Sequence, residues 1–173
     1  TSLWSTRALR YLRTHQMDPA TTAMAVLVQR LVDARAGGGA LSRTSDSRLV
    51  VTAAWGLGPA VAQGALVPDR YVLRREGPVL ECAEPSRKPR LLTCSSEGGL
   101  RWQDVAPDLV NAPCLGEALA LELARLVLRA EAVLGSPVEV EWALDGEGFQ
   151  ILQARPLVVA PGTRAEGVGG AAN

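Results

Sequence analysis

The residues best suited to chemistry stand late in the chain, on two alternating runs: Val138-Glu139-Val140-Glu141-Trp142-Ala143-Leu144 and Phe149-Gln150-Ile151-Leu152-Gln153-Ala154-Arg155-Pro156. Glu139, Glu141, Gln153 and Arg155 together offer oxygen ligands to a cation and a planar guanidinium fork to an anion. Strict alternation of apolar and polar residues marks half-buried strands. Asp145-Gly146-Glu147-Gly148 between them contains residues that tolerate positive φ, so the two runs read as a hairpin. With Glu141 opposite Gln153, Glu139 faces Arg155, and Val140, Trp142, Leu152 and Ala154 fall on the other face. A slip of one residue would put Leu152 among the carboxylates and Gln153 in the core, so the pattern selects the first register. A solvated strand face carries the same alternation, and the hairpin alone leaves a structural and a chemical reading open.

Such a hairpin needs a core behind it, and the composition supplies one. The 173 residues are 47% hydrophobic and 21% charged, enough for one substantial core or two small lobes. Eighteen basic and eighteen acidic residues cancel, so net charge makes no case for nucleic acid or a membrane surface. Lys88 is the only lysine, so anion contacts fall to arginine or backbone amides. Cys82, Cys94 and Cys114 are odd in number and far apart, which suits a reducing, cytoplasmic setting and neither a disulfide scaffold nor a zinc site. No apolar run is long enough to span a bilayer, and no signal peptide is evident. The chain opens without methionine inside a helical pattern, which is expected of part of a longer protein.

Ser2 to about His15 reads as an amphipathic helix, with Ser2 as N-cap, Trp4, Ala8, Tyr11 and Leu12 on one side, and Arg7, Arg10 and Arg13 around the rest. Asp18-Pro19 breaks it. Residues Thr22 to Ala34 are apolar on both parities through Val28, as in a strand covered on both faces, with Gln29 in a buried setting that requires a partner. Ala36-Gly37-Gly38-Gly39-Ala40 reads as a flexible turn. Leu49 to Ala54 is a buried strand ending in Trp55-Gly56-Leu57-Gly58-Pro59; Val61 and Pro59 break the dinucleotide fingerprint, and no GxxxxGK[ST] loop occurs.

Short strands are expected at 68–74, 79–81 and 90–93, with a polar loop from Glu84 to Pro89. Asn111-Ala112-Pro113 signals a helix start, followed by Leu115, Leu119, Leu123, Leu126, Val127, Ala130 and Leu134 at helical spacing and Gly135 as the stop. That leucine stripe is core. The order of elements predicts an α+β lobe, a mainly antiparallel sheet backed by helices.

Five stretches in order then resemble one family: Ser2-Leu3-Trp4-Ser5-x-Arg7-Ala8-x-x-Tyr11; Ala25-Val26-x-Val28-Gln29-x-x-Val32; Ala53-Ala54-Trp55-Gly56-Leu57-Gly58-x-x-Val61-x-x-Gly64; Pro68-Asp69-x-Tyr71; and Glu141-Trp142-Ala143 with Leu152-Gln153-Ala154-Arg155-Pro156. They resemble the ATP-binding domain of phosphoenolpyruvate synthase, with pyruvate phosphate dikinase and rifampicin phosphotransferase as relatives. The resemblance covers about residues 1–157 and implies the C-terminal lobe of an ATP-grasp fold, with residues 158–173 as a flexible Gly/Ala-rich tail. It implies transfer of a phosphoryl group from ATP to a histidine on another domain and on to pyruvate or a drug hydroxyl.

It further implies Glu141 and Gln153 as Mg²⁺ and phosphate ligands, Glu139 as a weaker metal candidate, and Arg155 as the catalytic cation on the transferring phosphates. Gln29 and Arg7 are the remaining nucleotide-contact candidates. Departures are also plain. The first lobe with its phosphate-binding lysine and the phosphohistidine domain are not in this chain, so both are expected partners, and His15 lies in no histidine motif. Gly37 to Ser42 replace a bulkier strand, Thr52 stands where a carboxylate is frequent, and Pro59 replaces a glutamate. The alternative implied is a non-catalytic lobe kept as a binding or scaffolding module. On either reading the chain by itself is expected to bind Mg-ATP weakly or not at all.

Overall fold

The computed structural model describes residues 4–23 and 25–157, and the chain divides into two compact units, Thr1–Leu31 and Val32–Asn173. Ser2 and the tail lie outside the described residues.

In the first unit, α1 spans Thr6–Thr14. Its N-cap is Ser5, whose hydroxyl accepts the Ala8 amide at 3.2 Å, and the His15 amide closes the far end on the Tyr11 carbonyl. Leu12 is its one buried residue, while Trp4 and Tyr11 stay exposed. The Asp18 carboxylate accepts the Ala20 amide and sets the turn that follows. Beyond it, the strand expected from Thr22 to Ala34 is not formed among the described residues. The described residues there form no ladder, and Val26, Leu27 and Val28 are 82%, 81% and 89% exposed. A strand apolar on both parities is stable only between neighbours in a sheet, and none pairs with it among the described residues. Gln29 is likewise exposed, not buried.

The second unit is built on a six-stranded sheet ordered β4-β3-β2-β1-β7-β8, antiparallel at every pair. Its strands are β1 (Ala36–Leu41), β2 (Arg48–Trp55), β3 (Asp69–Arg74), β4 (Val79–Glu84), β7 (Val138–Leu144) and β8 (Phe149–Pro156). A short helix α2 (Pro59–Ala62) follows β2, with Pro59 in its first turn, where the missing amide costs nothing. A separate two-stranded sheet pairs β5 (Arg90–Cys94) with β6 (Leu100–Asp104). All five residues of β6 are exposed, and the sequence reading missed it although Leu100-Arg101-Trp102-Gln103 alternates.

The helix α3 (Glu117–Leu134) packs on one face of the large sheet. Ala120, Leu123, Ala124 and Val127 meet Leu49, Val51, Ala53, Tyr71, Leu73, Val138, Val140 and Trp142 there. Gly135, at φ 68°, closes the helix as expected. The helix begins later than the Asn111-Ala112-Pro113 signal because the next two amides are already engaged. Cys114 donates to the Asp69 carboxylate at 2.7 Å and Leu115 to the Tyr71 hydroxyl at 2.9 Å. No helix among the described residues is long and apolar enough to cross a membrane.

The largest correction concerns Ala36 to Ala40. They form the central strand, between β2 and β7, rather than a turn. The glycines are there for close approach. A Cβ on Gly38 would stand 2.0 Å from the Thr52 carbonyl oxygen, and one on Gly37 would stand 2.9 Å from the Gly58 nitrogen. A glycine run has no side-chain pattern, so only its neighbours reveal it as a strand.

Lys88, expected in a polar loop, is fully buried with Asp69. Its ammonium donates to the Asp69 carboxylate and, at 2.8 Å, to the Ser86 carbonyl. Burial pushes the Asp69 carboxyl up, but Lys88 and the amides of Ser86 and Cys114 together outweigh that and leave it below its ordinary range. Burial raises the Tyr71 phenol and the Cys114 thiol, so both stay protonated. Among the described residues, no buried side-chain nitrogen or oxygen is left without a partner.

Candidate functional site

The strands β7 and β8 place the four polar residues of the hairpin. On β7, Val138, Val140, Trp142 and Leu144 turn into the core, which sends Glu139 and Glu141 to the opposite face. Glu141 pairs with Gln153, Val140 with Ala154 and Glu139 with Arg155, the register that the pattern selects. The turn is held by the Asp145 carboxylate, which accepts the amides of Glu147 at 2.8 Å and Gly148 at 3.1 Å. Gly148, at φ 123°, occupies a conformation closed to most side chains.

One detail differs from expectation. The register shifts after Glu141, so Trp142 pairs with Ile151 and Leu152 is the extra residue of a β-bulge. Leu152 is therefore half-buried and outside the core instead of packing beside Trp142. The bulge sets Phe149, rather than Gln150, opposite Leu144. Phe149 thus reaches the core face, where its ring meets Trp142 edge-on at 5.5 Å.

The polar face is open, and Glu141, Gln153 and Arg155 are all exposed. The Arg155 Nε donates to Glu139 Oε2 at 3.0 Å, and its terminal amino groups make no hydrogen bond among the described residues. That bond to Glu139, with the nearby Glu141 charge adding to it, raises the Arg155 pKa and keeps the guanidinium charged. Glu141 has no ion-pair partner within 4.0 Å among the described residues. The other glutamates of this face are engaged: Glu139 with Arg155, Glu84 with Arg70 and Glu81 with Arg48.

Register carries the site further than the hairpin. The ladder runs from Gln153 to Glu141, Gly39, Thr52, Arg70 and Glu84, one residue from each strand and all on one face. The Thr52 hydroxyl is spent on Gly39, accepting its amide at 3.2 Å and donating to its carbonyl at 3.3 Å. The Trp142 Nε1 donates to that same carbonyl at 3.2 Å, tying β7 to β1 beside Glu141. Of the neighbours of the site, Thr52 stands at the position where the resemblance expects a carboxylate, whereas Arg70, its partner on β3, is the one that sequence reasoning missed. The signal for Arg70 is the strand pairing that runs through β1 and β2, which the glycines of β1 hide. Arg7 and Gln29 belong to the first unit. Arg7 is exposed and lines a cleft there with Tyr11, Met17 and Thr22.

Glu141 and Gln153 present hard oxygen donors side by side, which suits Mg²⁺. Among the described residues no group of three or more His, Cys, Asp or Glu is assembled for a metal. Two protein oxygens would leave the other positions to phosphate and water, the usual way Mg²⁺ is held beside a nucleotide. The donor set therefore fits Mg-nucleotide better than a bare metal.

Comparison with known proteins points to a nucleotide-binding domain. Residues 1–168 match the family described as pyruvate phosphate dikinase, AMP/ATP-binding domain. A probable phosphoenolpyruvate synthase of Methanocaldococcus jannaschii is 32% identical over 161 residues, covering 90% of this chain and 14% of that protein. A rifampicin phosphotransferase of a Streptomyces species is 36% identical over 160 residues, 90% of this chain and 18% of its own length. The phosphoenolpyruvate synthase of Aeropyrum pernix is 30% identical over 194 residues, 91% of this chain and 23% of its own. The chain thus spans less than a quarter of the length of these relatives.

Proposed function

Because the chain belongs to the AMP/ATP-binding domain family of pyruvate phosphate dikinase, we propose that its hairpin is the magnesium and phosphate floor of an ATP site in a dikinase-type phosphotransferase. The observation that carries this reading is the unpaired Glu141 facing Gln153, with Arg155 two residues on, in a family of ATP-binding domains. Glu141 and Gln153 hold the metal side of the nucleotide, with Glu139 as the outer carboxylate. Arg155 turns its free amino groups toward the phosphate oxygens while its Nε stays anchored on Glu139. Bound Mg²⁺ supplies charge neutralisation to the phosphates; a fixed guanidinium adds donors where charge develops. The anchoring of Arg155 means that its fork is oriented before nucleotide arrives, which a lysine cannot reproduce.

The rest of the clamp is assigned to other parts of a longer protein: a first ATP-grasp lobe, and a domain whose histidine takes the phosphoryl group and passes it to pyruvate or a similar acceptor. Residues 1–157 are the lobe and 158–173 a linker. Gln29 and Arg7 are secondary nucleotide contacts, and the exposure of Gln29 leaves its amide open to a ligand. One observation favours a second reading, a lobe that binds without turnover: Pro59 opens α2 where relatives are expected to carry a glutamate.

The experiment is isotope tracing from β- and γ-labelled ATP in the full-length protein, with pyruvate and rifamycins as trial acceptors. Arg155→Ala should lower phosphoryl transfer on the order of 10²–10³-fold, and Arg155→Lys should restore little of it. Glu141→Gln should weaken Mg²⁺-dependent nucleotide binding, read by calorimetry without turnover. Unchanged transfer in Arg155→Ala would exclude the role given to it, and absence of transfer in the wild-type protein would select the binding module.

A further inference from the structure

A second site lies away from the polar face. A cleft of 710 Å³ opens among the end of β2, the β5–β6 hairpin and the segment leading into α3. That volume is in the range of pockets for small organic ligands and far exceeds a lone ion. Its walls are mostly apolar: Leu91, Val105, Leu109 and Leu119, with Cys114 as a floor whose thiol burial keeps protonated. Trp55 forms one side. Its indole N–H donates to the Leu109 carbonyl at 2.9 Å, so the ring is fixed and offers its face.

Charge in the cleft comes from two residues. Asp104, the last residue of β6, lines the cleft near its Arg90 cross-strand partner, with no ion pair between the two. Arg35 precedes β1, is exposed to the cleft, and its guanidinium makes no hydrogen bond or ion pair among the described residues. Its backbone is fixed, the amide donating to Leu144 and the carbonyl accepting from Gly56. An open guanidinium on a fixed backbone, beside an aromatic face and aliphatic walls, has the polarity of a site for an amphipathic anion.

We propose that this cleft binds a small monocarboxylate with an aromatic or branched apolar body, its carboxylate on Arg35 and its body against Trp55, Leu91 and Leu119. The planar carboxylate matches the guanidinium fork. A polyanion such as a triphosphate fits poorly, because Arg35 is the one cation among the lining residues, Asp104 repels further negative charge, and the remaining charges would be desolvated against leucine. The site is independent of the nucleotide reading, since it shares no residue with the polar face of the β7–β8 hairpin.

The test is a titration of the 173-residue chain with 4-phenylbutyrate and, in parallel, its uncharged analogue 4-phenylbutanol, followed by amide chemical shifts. The acid should give saturable shifts at 34–35, 55–56, 91–93 and 103–106, and the alcohol should bind on the order of tenfold more weakly, as expected for one lost charge-assisted pair. Arg35→Gln, whose side chain holds nothing else in the fold, should bring the acid down to the alcohol. Thr93→Trp, which fills the cleft, should abolish both while the spectrum stays dispersed. Equal binding of acid and alcohol, a preference for the acid that survives Arg35→Gln, saturable shifts confined to other residues, or no shift in the folded wild-type chain at millimolar ligand would each overturn the proposal.

Discussion

Two charged clusters in the second unit use the same residue types to opposite ends. Asp69 and Lys88 are fully buried, and the carboxylate also takes the amides of Ser86 and Cys114 and stands beside the Tyr71 hydroxyl. Every buried polar atom there has a partner from within, and the cluster joins β3, the loop after β4 and the approach to α3. On the hairpin, Glu139, Glu141, Gln153 and Arg155 stand in solvent on rigid strands, with Glu141 unpaired and Arg155 only partly engaged. A sealed cluster whose polar atoms are all partnered from within offers a ligand no access; an exposed one with open groups on a fixed base does. Burial and saturation, not the presence of charge, separate the residues that hold this fold from those that can act on something else.

The comparison breaks first at Lys88. Lys88→Met leaves the Asp69 carboxylate buried and uncompensated, and should cost about 3–5 kcal/mol, read by chemical denaturation. A loss under about 1 kcal/mol would mean that water reaches the cluster and that the contrast drawn here is false. Gly38→Ala follows, since its Cβ would overlap the Thr52 carbonyl; β1 must shift, at about 1–3 kcal/mol. If β1 holds the hairpin in place, the same variant should also disturb the amide shifts of Glu141 and Gln153.

An intermediate case tests the idea of saturation. Arg75 forks onto Glu131 at 2.9 and 2.7 Å while also donating to the Ser42 carbonyl, which pins α3 to the sheet. The hydrogen bond from Arg75 lowers the Glu131 pKa to about 2. The folded value lies below the unfolded one of about 4.3, so the contribution is full above that pH and is lost as pH falls toward 2. Stability should therefore decline between about pH 5 and pH 2, and Glu131→Gln should flatten part of that slope and cost about 1–3 kcal/mol near neutral pH. An unchanged slope in the variant would remove Glu131 from the account. The smallest effect on stability belongs to Arg155→Ala, which should leave the denaturation midpoint in place while phosphoryl transfer in the full-length protein collapses. A large fall in the midpoint would move Arg155 into the structural class with Lys88.

Much of this was legible in the chain because it depends on local period. The alternation of β7 and β8, the stripe of α3 and its glycine stop are properties of consecutive residues, and the Glu141–Gln153 register follows from keeping Gln153 out of the core and Leu152 away from the carboxylates. The misreadings share one cause. Gly37, Gly38 and Gly39 have no side chains to show a period, and Lys88 looks solvent-bound until Asp69, nineteen positions earlier, is placed beside it. Ala25 to Val28 show the converse. Their apolar pattern describes a strand with neighbours on both sides, and the pattern cannot supply the neighbours.

By itself, then, the sequence determined the α+β class, the polarity of the hairpin and the family to which the five ordered motifs point. The tertiary structure decided that three glycines are the middle of the sheet and that Leu152 is a bulge. It likewise decided that Lys88 is sealed and that Glu141 is the glutamate left open on its face. The division has a physical basis: side-chain period is written along the chain, whereas burial and saturation depend on which distant groups share a space.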